Sequence, residues 1–147
     1  MVATPANFSN DLLWLCIRDN SSFIVKRPNE KMFSREPMNL TNKHTAKYSG
    51  LANNRIIGVQ PSKSGKGVTL YTKSKPDHDS KPAKTVIKST LRNSSAKGIS
   101  QNIYNSTIKK GYRVDLRYEA LARGSACILA SQPKKDTPAK KTRGTKA

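Results

Sequence analysis

Residues 55–74 read RIIGVQPSKSGKGVTLYTKS, and the way they are read decides the fold. In the first arm Ile57 and Val59 share one side, and in the second arm Val68 and Leu70 do. A period of two fits paired strands of a half-buried antiparallel sheet. The middle is Pro, Ser, Lys and Gly, which is turn chemistry, and Gly65 and Gly67 can supply the positive φ that a tight loop needs. These arms predict a hairpin with a cationic tip. Lys63 and Lys66 sit in the turn, Lys73 and Lys75 follow, and Lys81 lies just downstream. Like charges on one exposed loop repel one another, so the reason for the arrangement lies outside the loop.

The whole chain has the same bias. Its 147 residues carry 28 Lys+Arg against 9 Asp+Glu, a net charge of +19. A small soluble domain needs only a few net charges to stay dispersed. A surplus this large destabilises the compact state unless a polyanion neutralises it. Nucleic acid, an anionic membrane and an acidic protein are the three candidates. The longest apolar run, Leu12 to Ile17, is far short of the roughly 20 residues that cross a bilayer. The N-terminus has neither the basic region nor the small-residue cleavage site of a secretion signal. The lysines run along the whole chain, whereas a peripheral binder gathers them on one amphipathic helix. No membrane role is expected.

Outward from the hairpin, the pattern predicts an α+β fold: a small antiparallel sheet packed with about three helices, plus extended basic segments. On the N-terminal side, NDLLWLCIR reads as a short buried helix over about 10–18, capped by Ser9 or Asn10 with Asp11 in its first turn. SFIVK and MFSRE read as a second, shorter hairpin, and AKYSGL as a further strand carrying Tyr48. On the C-terminal side, KSKPDHDSKPAK is a linker by composition. Lys84, Lys88 and Arg92 recur at i, i+4, i+8, the spacing of a helix basic along one side. Ile99, Ile103, Tyr104 and Ile108 form a helical stripe, capped by Ser94 or Ser95 and stopped by Gly111. A last helix runs from Asp115 as N-cap to the approach of Pro133, with Leu121 and Ile128 on one face and Gly124 weakening its middle.

Length and low apolar content, 35%, suggest one domain with a small core. Residues 1–9 read as a flexible extension, 10–132 as the α/β body, and 133–147, basic and without a large apolar residue, as a disordered tail. Cys16 and Cys127 have no CxxC partner, so a zinc site is not indicated and both read as reduced thiols in the core.

Motifs for catalysis are poor. SGKG lacks the spacing of a nucleotide-binding loop: Gln60 stands where the leading Gly belongs and Gly67 where the hydroxyl belongs. KKGYRVDLRY begins like the aromatic strand of an RNA-recognition motif, then departs at Arg113 and Asp115. Asp77 and Asp79 flank His78 within a run of lysines, which is a solvated loop. No enzyme activity, cofactor, metal or small-molecule substrate is expected. What remains is basic residues interleaved with aromatics, the residue types that neutralise phosphates and stack on unpaired bases.

Three segments in order, SSFIVKR, KYSGLANNRIIGVQPSKSGKGVTLYTKS and YRVDLRYEALARGSACILASQ, followed by a basic tail, resemble the eukaryotic large-subunit ribosomal protein family twenty-eight, "e" type, over roughly residues 10–132. The sequence departs from that pattern at Gly124, where relatives tend to carry a basic residue. The resemblance implies a structural constituent of the cytosolic large ribosomal subunit. It would bind and neutralise ribosomal RNA beside neighbouring large-subunit proteins, pass through the nucleolus during assembly, and have no catalytic residues. RNA contacts carried over by matching position are Lys26, Arg27, Lys47, Tyr48, Lys63, Lys66, Arg113 and Arg117. A nucleolar ribosome-assembly factor with a related domain is the alternative, but the basic C-terminus and lone cysteines fit it less well. A DNA-compacting protein would favour a helical core over strands.

Overall fold

The computed structural model describes residues 9–28, 30–63, 65–73, 85–93, 95–133 and 144. Among these, three helices and two antiparallel sheets, of two and three strands, form the expected α+β arrangement. The expectations for residues 1–8, for most of the 73–84 linker and for nearly all of the tail beyond Pro133 lie outside the described residues.

The decisive hairpin forms as read. β3 (Ile57–Pro61) pairs with β4 (Val68–Lys73), setting Val59 opposite Leu70 and Ile57 opposite Thr72. Ile57, Val59, Val68 and Leu70 are all buried. The turn closes through Ser62 N–H to the Gly67 carbonyl at 3.2 Å and Gly65 N–H to the Ser62 carbonyl at 3.1 Å. Gly65 and Gly67 have φ of +73° and +82°. A Cβ on Gly67 would lie 2.1 Å from the Leu91 carbonyl oxygen, whereas one on Gly65 would meet nothing within 4 Å.

That carbonyl belongs to β5 (Val86–Leu91), which pairs with β4 from Val68↔Leu91 to Lys73↔Val86. The strand replaces the basic helix expected from Lys84, Lys88 and Arg92. Lys88 lies on β5, and Lys84 is outside the described residues. Two β-branched residues, Val86 and Ile87, and a third at Thr90 favour a strand, and the free edge of β4 supplies its ladder. A spacing of four among charged residues could not outweigh that pairing.

α2 (Ala96–Ser106) buries Ile99 and Ile103, and a 3-10 extension, Ile108–Lys110, buries Ile108 before Gly111 ends it at φ +69°. Ser95 is the N-cap of α2. α3 (Arg117–Ser131) packs against both α2 and β3. Its N-cap is Leu116, not the expected Asp115, which lies in a 3-10 turn, Val114–Leu116. The Asp115 carboxylate is already engaged: it accepts two bonds at 3.0 Å from the Arg113 guanidinium. Gly124, on α3, is buried, and a Cβ there would come within 2.5 Å of Ile103 Cδ1 and 3.3 Å of Ile99 Cγ2. The missing side chain brings α2 and α3 together, and a basic residue would have no room. The resulting core joins Leu40, Ile57, Val59, Val68, Leu70, Ile99, Ile103, Leu116, Ala120, Cys127 and Ile128.

The N-terminal half departs further from expectation. α1 (Asn10–Ile17) has its Ser9 cap, which accepts from Leu12 N–H at 3.2 Å, but it buries no residue. Leu12 and Leu15 are 44% and 60% exposed, and Cys16 is exposed as well. The expected buried helix and core thiol at position 16 are therefore corrected. Six consecutive apolar residues at about 100° per residue spread around the whole helix, so one supporting surface cannot cover them. That support is a Trp14–His44 ring contact at 4.9 Å and a bond from His44 Nε2 to the Arg18 carbonyl at 2.6 Å.

β1 (Ile24–Val25) and β2 (Phe33–Ser34) make the second hairpin, shorter than read. AKYSGL is not a strand. Ala46–Tyr48 is a 3-10 turn, with Tyr48 N–H and Ser49 N–H both donating to the Thr45 carbonyl. Side chains hold this bend. Ser49 Oγ and Gly50 N–H donate to the buried Glu36 carboxylate at 3.0 and 2.8 Å, and Tyr48 Oη reaches Glu119 at 2.8 Å.

Two outcomes are expected. Gly65→Ala should cost about 1 kcal/mol of stability, the left-handed backbone term alone. Gly67→Ala should cost about 3 kcal/mol, because the β4–β5 ladder must also shift; urea unfolding curves of the two variants check the difference. In native protein Cys16 should react rapidly with an alkylating reagent. Cys127 should react only on unfolding, since it is buried and burial pushes its thiol up against the smaller opposing effect of Arg123.

Candidate nucleic-acid interface

The structure sorts the cations by what already holds them. Lys63 and Lys66, at the tip of the β3–β4 hairpin, are exposed. Neither has an ion-pair partner among the described residues. Lys26 and Arg27 follow β1 and are also exposed. Arg27 has a long contact of 3.5 Å to Glu30, and its guanidinium lies 5.5 Å from the Phe33 ring centroid. Arg117, at the start of α3, lies 5.3 Å from the Tyr104 ring and 5.8 Å from that of Tyr118. Tyr118 itself is 78% exposed, so this end of α3 offers an accessible ring beside a positive charge.

Lys47, Tyr48 and Arg113 come together, but in a network internal to the chain. Glu119 Oε1 accepts from Tyr48 Oη at 2.8 Å and from Lys47 Nζ at 3.2 Å. Arg113 donates to the Arg55 and Lys47 carbonyls at 2.9 Å each, besides its two bonds to Asp115. Its side chain is only 14% exposed, and its backbone is left-handed at φ +49°. The geometry makes Arg113 a clamp between the Ala46–Tyr48 turn, the start of β3 and the entry to α3. Lys47 spends one of its three donors on Glu119 and remains exposed.

These contacts set the local titrations. Burial pushes the Glu119 carboxyl up, but its own backbone N–H, Tyr48 and Lys47 outweigh burial and hold it below the usual carboxylate value. The bond to Glu119 raises Lys47. Its own bond to Glu119, with burial, raises the Tyr48 phenol. Tyr112 has a different task from surface stacking. It packs on the core, and its hydroxyl accepts from Ile56 N–H and Lys73 N–H at 3.2 Å each. Burial pushes its phenol up.

Sequence reasoning missed Arg35 and Arg123. With Arg27 they rim a concavity of about 460 Å³ between the β1–β2 ribbon and β3, with Phe33, Pro37 and Val59 on its apolar side. Chain distance hides this site, since its walls come from two separate sheets and α3. Among the described residues no group of His, Cys, Asp and Glu could hold a metal ion, and no helix is long and apolar enough to cross a membrane.

A family model, the Ribosomal L28e protein family, matches residues 12–130. The chain belongs to that family. Its similarity to the large ribosomal subunit protein eL28 of Schizosaccharomyces pombe is 42% identity over 129 residues, covering 86% of this chain and 96% of the relative. The protein of the same name from Caenorhabditis elegans is 37% identical, covering 86% of this chain and 93% of the relative. That of Dictyostelium discoideum is 30% identical, covering 92% and 98%. The L28e match takes in all five strands, α2, nearly all of α3 and most of α1.

The Glu119 network has a pH signature. A depressed carboxylate contributes stability above its unfolded value of about 4.3, and that stability is lost as pH falls through the lower folded value. Glu119→Gln should therefore lower the melting temperature at neutral pH and flatten its decline on acidification. Thermal melts of both proteins across the acid range check this.

Proposed function

We propose that the chain is a structural constituent of the cytosolic large ribosomal subunit that binds and neutralises ribosomal RNA. The observation that carries this reading is a net charge of +19 on a chain whose β3–β4 hairpin ends in two lysines without carboxylate partners among the described residues. Membership of the L28e family, with relatives named as large ribosomal subunit proteins, supplies the setting.

On this reading the contacts divide by physical role. Lys26, Lys63 and Lys66 neutralise backbone phosphates. Arg117 and Arg27, each beside an aromatic ring, combine charge with a flat surface that suits unpaired bases. Lys47 offers its remaining donors, whereas Arg113 and Tyr48 hold the surface in shape from behind. Exposed apolar residues such as Leu12, Leu15 and Leu129 suit contact with neighbouring large-subunit proteins, because RNA phosphates offer them nothing. The protein works in cytoplasmic ribosomes after passing through the nucleolus during assembly. This role requires no chemistry at a substrate, no cofactor and no membrane.

Replacing Lys63 and Lys66 together with Glu tests the reading. Folding should be nearly unchanged, within about 0.5 kcal/mol for exposed positions. RNA affinity should fall at every salt concentration. The slope of log K against log salt should become shallower by about 1.4–1.8, the release expected for two phosphate contacts. An unchanged slope, with normal incorporation into large subunits, would show that the tip lysines are only solvated charge.

A further inference from the structure

We propose that the concavity between the β1–β2 ribbon and β3 receives one nucleoside phosphate, supplied by an unpaired nucleotide extruded from an RNA. This rests on the RNA-binding reading above and names the element that the site takes. A volume of about 460 Å³ lies in the range of sites that enclose a single small molecule, and it excludes a stacked duplex. The lining has the two halves that a nucleotide needs. Arg27, Arg35 and Arg123 give three positive charges, and Phe33, Pro37 and Val59 give an apolar side. The Arg27 guanidinium over the Phe33 ring makes a flat cationic and aromatic pair, the kind of surface on which unpaired bases stack.

Arg123 supplies an independent observation. Its Nε is buried and has no hydrogen-bond partner among the described residues. A buried N–H without an acceptor is unfavourable, and a turn of the side chain toward the concavity would let a phosphate oxygen satisfy it. The one carboxylate in the lining, Glu36, does not cancel this. Its oxygens already accept from Ser34 Oγ, Ser49 Oγ and Gly50 N–H. The anion therefore goes to the arginine rim and the base to the Phe33 side. The amides of Asn42 and Gln60 also line the concavity, so a base seated on the Phe33 side has hydrogen-bonding groups beside it.

The test compares the full-length protein on a short RNA duplex and on the same duplex with a single bulged 2-aminopurine. The wild type should bind the bulged RNA about tenfold more tightly, a typical effect of one stacked base, and change the probe's fluorescence. Arg35→Ala, an exposed substitution, and Arg123→Gln should each bring the two affinities close together. The double substitution of Lys63 and Lys66 by Glu should weaken both RNAs by the same factor and preserve their ratio. Circular dichroism confirms folding, and Arg35→Ala carries the test alone if Arg123→Gln unfolds. A wild-type ratio in the folded variants, or a silent probe in the wild type, would overturn the proposal. Free adenosine monophosphate competing as well as the bulged RNA would overturn the assignment to RNA in favour of a free nucleotide. Selective displacement of the bulged RNA by an oligoglutamate peptide would overturn it in favour of an acidic protein partner. Failure of the wild type to bind either RNA would instead sink the RNA-binding reading itself.

Discussion

Two helices meet where one side chain is missing. At Gly124 the backbone of α3 comes so close to Ile99 and Ile103 of α2 that a Cβ would meet Ile103 Cδ1 at 2.5 Å. The rest of the fold hangs on this approach, because α3 also covers β3, and the core joins residues of α2, α3 and the sheet in one cluster. Glycine weakens an isolated helix by about 1 kcal/mol relative to alanine. In this position it permits packing of two fully buried isoleucines, whose combined burial outweighs that loss. With so little apolar material, the described residues form no second buried cluster of this kind.

A small core must also hold together a strongly charged chain. The structure manages this locally, by giving selected cations internal tasks. Arg113 spends its guanidinium on two carbonyls and Asp115, and Lys47 shares Glu119 with Tyr48. Arg55, Lys88 and Arg117 lie 5.3–6.0 Å from the rings of Tyr112, Tyr71 and Tyr104. Each such contact offsets part of the repulsion while leaving the body positive. The few acidic residues are placed accordingly: Glu36 is buried among donors and Glu119 ties a turn to a helix, so neither is merely diluting charge on the surface.

How much of this could be read beforehand depended on distance along the chain. The β3–β4 hairpin was legible because alternation, turn chemistry and register all lie within twenty residues. The stripe of Ile99 and Ile103 was legible for the same reason. Three readings failed, two of them where a partner far away decided the outcome. Tyr48 looked like a strand aromatic until Glu119, 71 positions on, drew it into a turn. Asp115 looked like a cap but is claimed by Arg113. The lysine spacing around β5 suggested a helix, yet the open edge of β4 decided otherwise. Of the candidate contacts, residue type and position marked the tip lysines, but not that Arg113 faces inward. Arg35 and Arg123 gave no local signal, since their concavity exists only once two sheets and α3 are assembled.

The Tyr112 hydroxyl has a mechanical consequence. It bridges the main chains of Ile56 and Lys73, at the open end of the β3–β4 pair and opposite the lysine-bearing turn. A hairpin tied at its base and pinned at Gly67 to the end of β5 is a beam clamped along its length, not a loose loop. Five residues of β3 at about 3.4 Å each carry the charge roughly 17 Å from that clamp. A stiff arm loses little freedom when its tip is held, so less of each contact's free energy goes into ordering. It also transmits orientation: whatever grips Lys63 and Lys66 fixes the attitude of the helices at the other end. A chain held by such a tip would be aligned by it, as a peg aligns the body behind it.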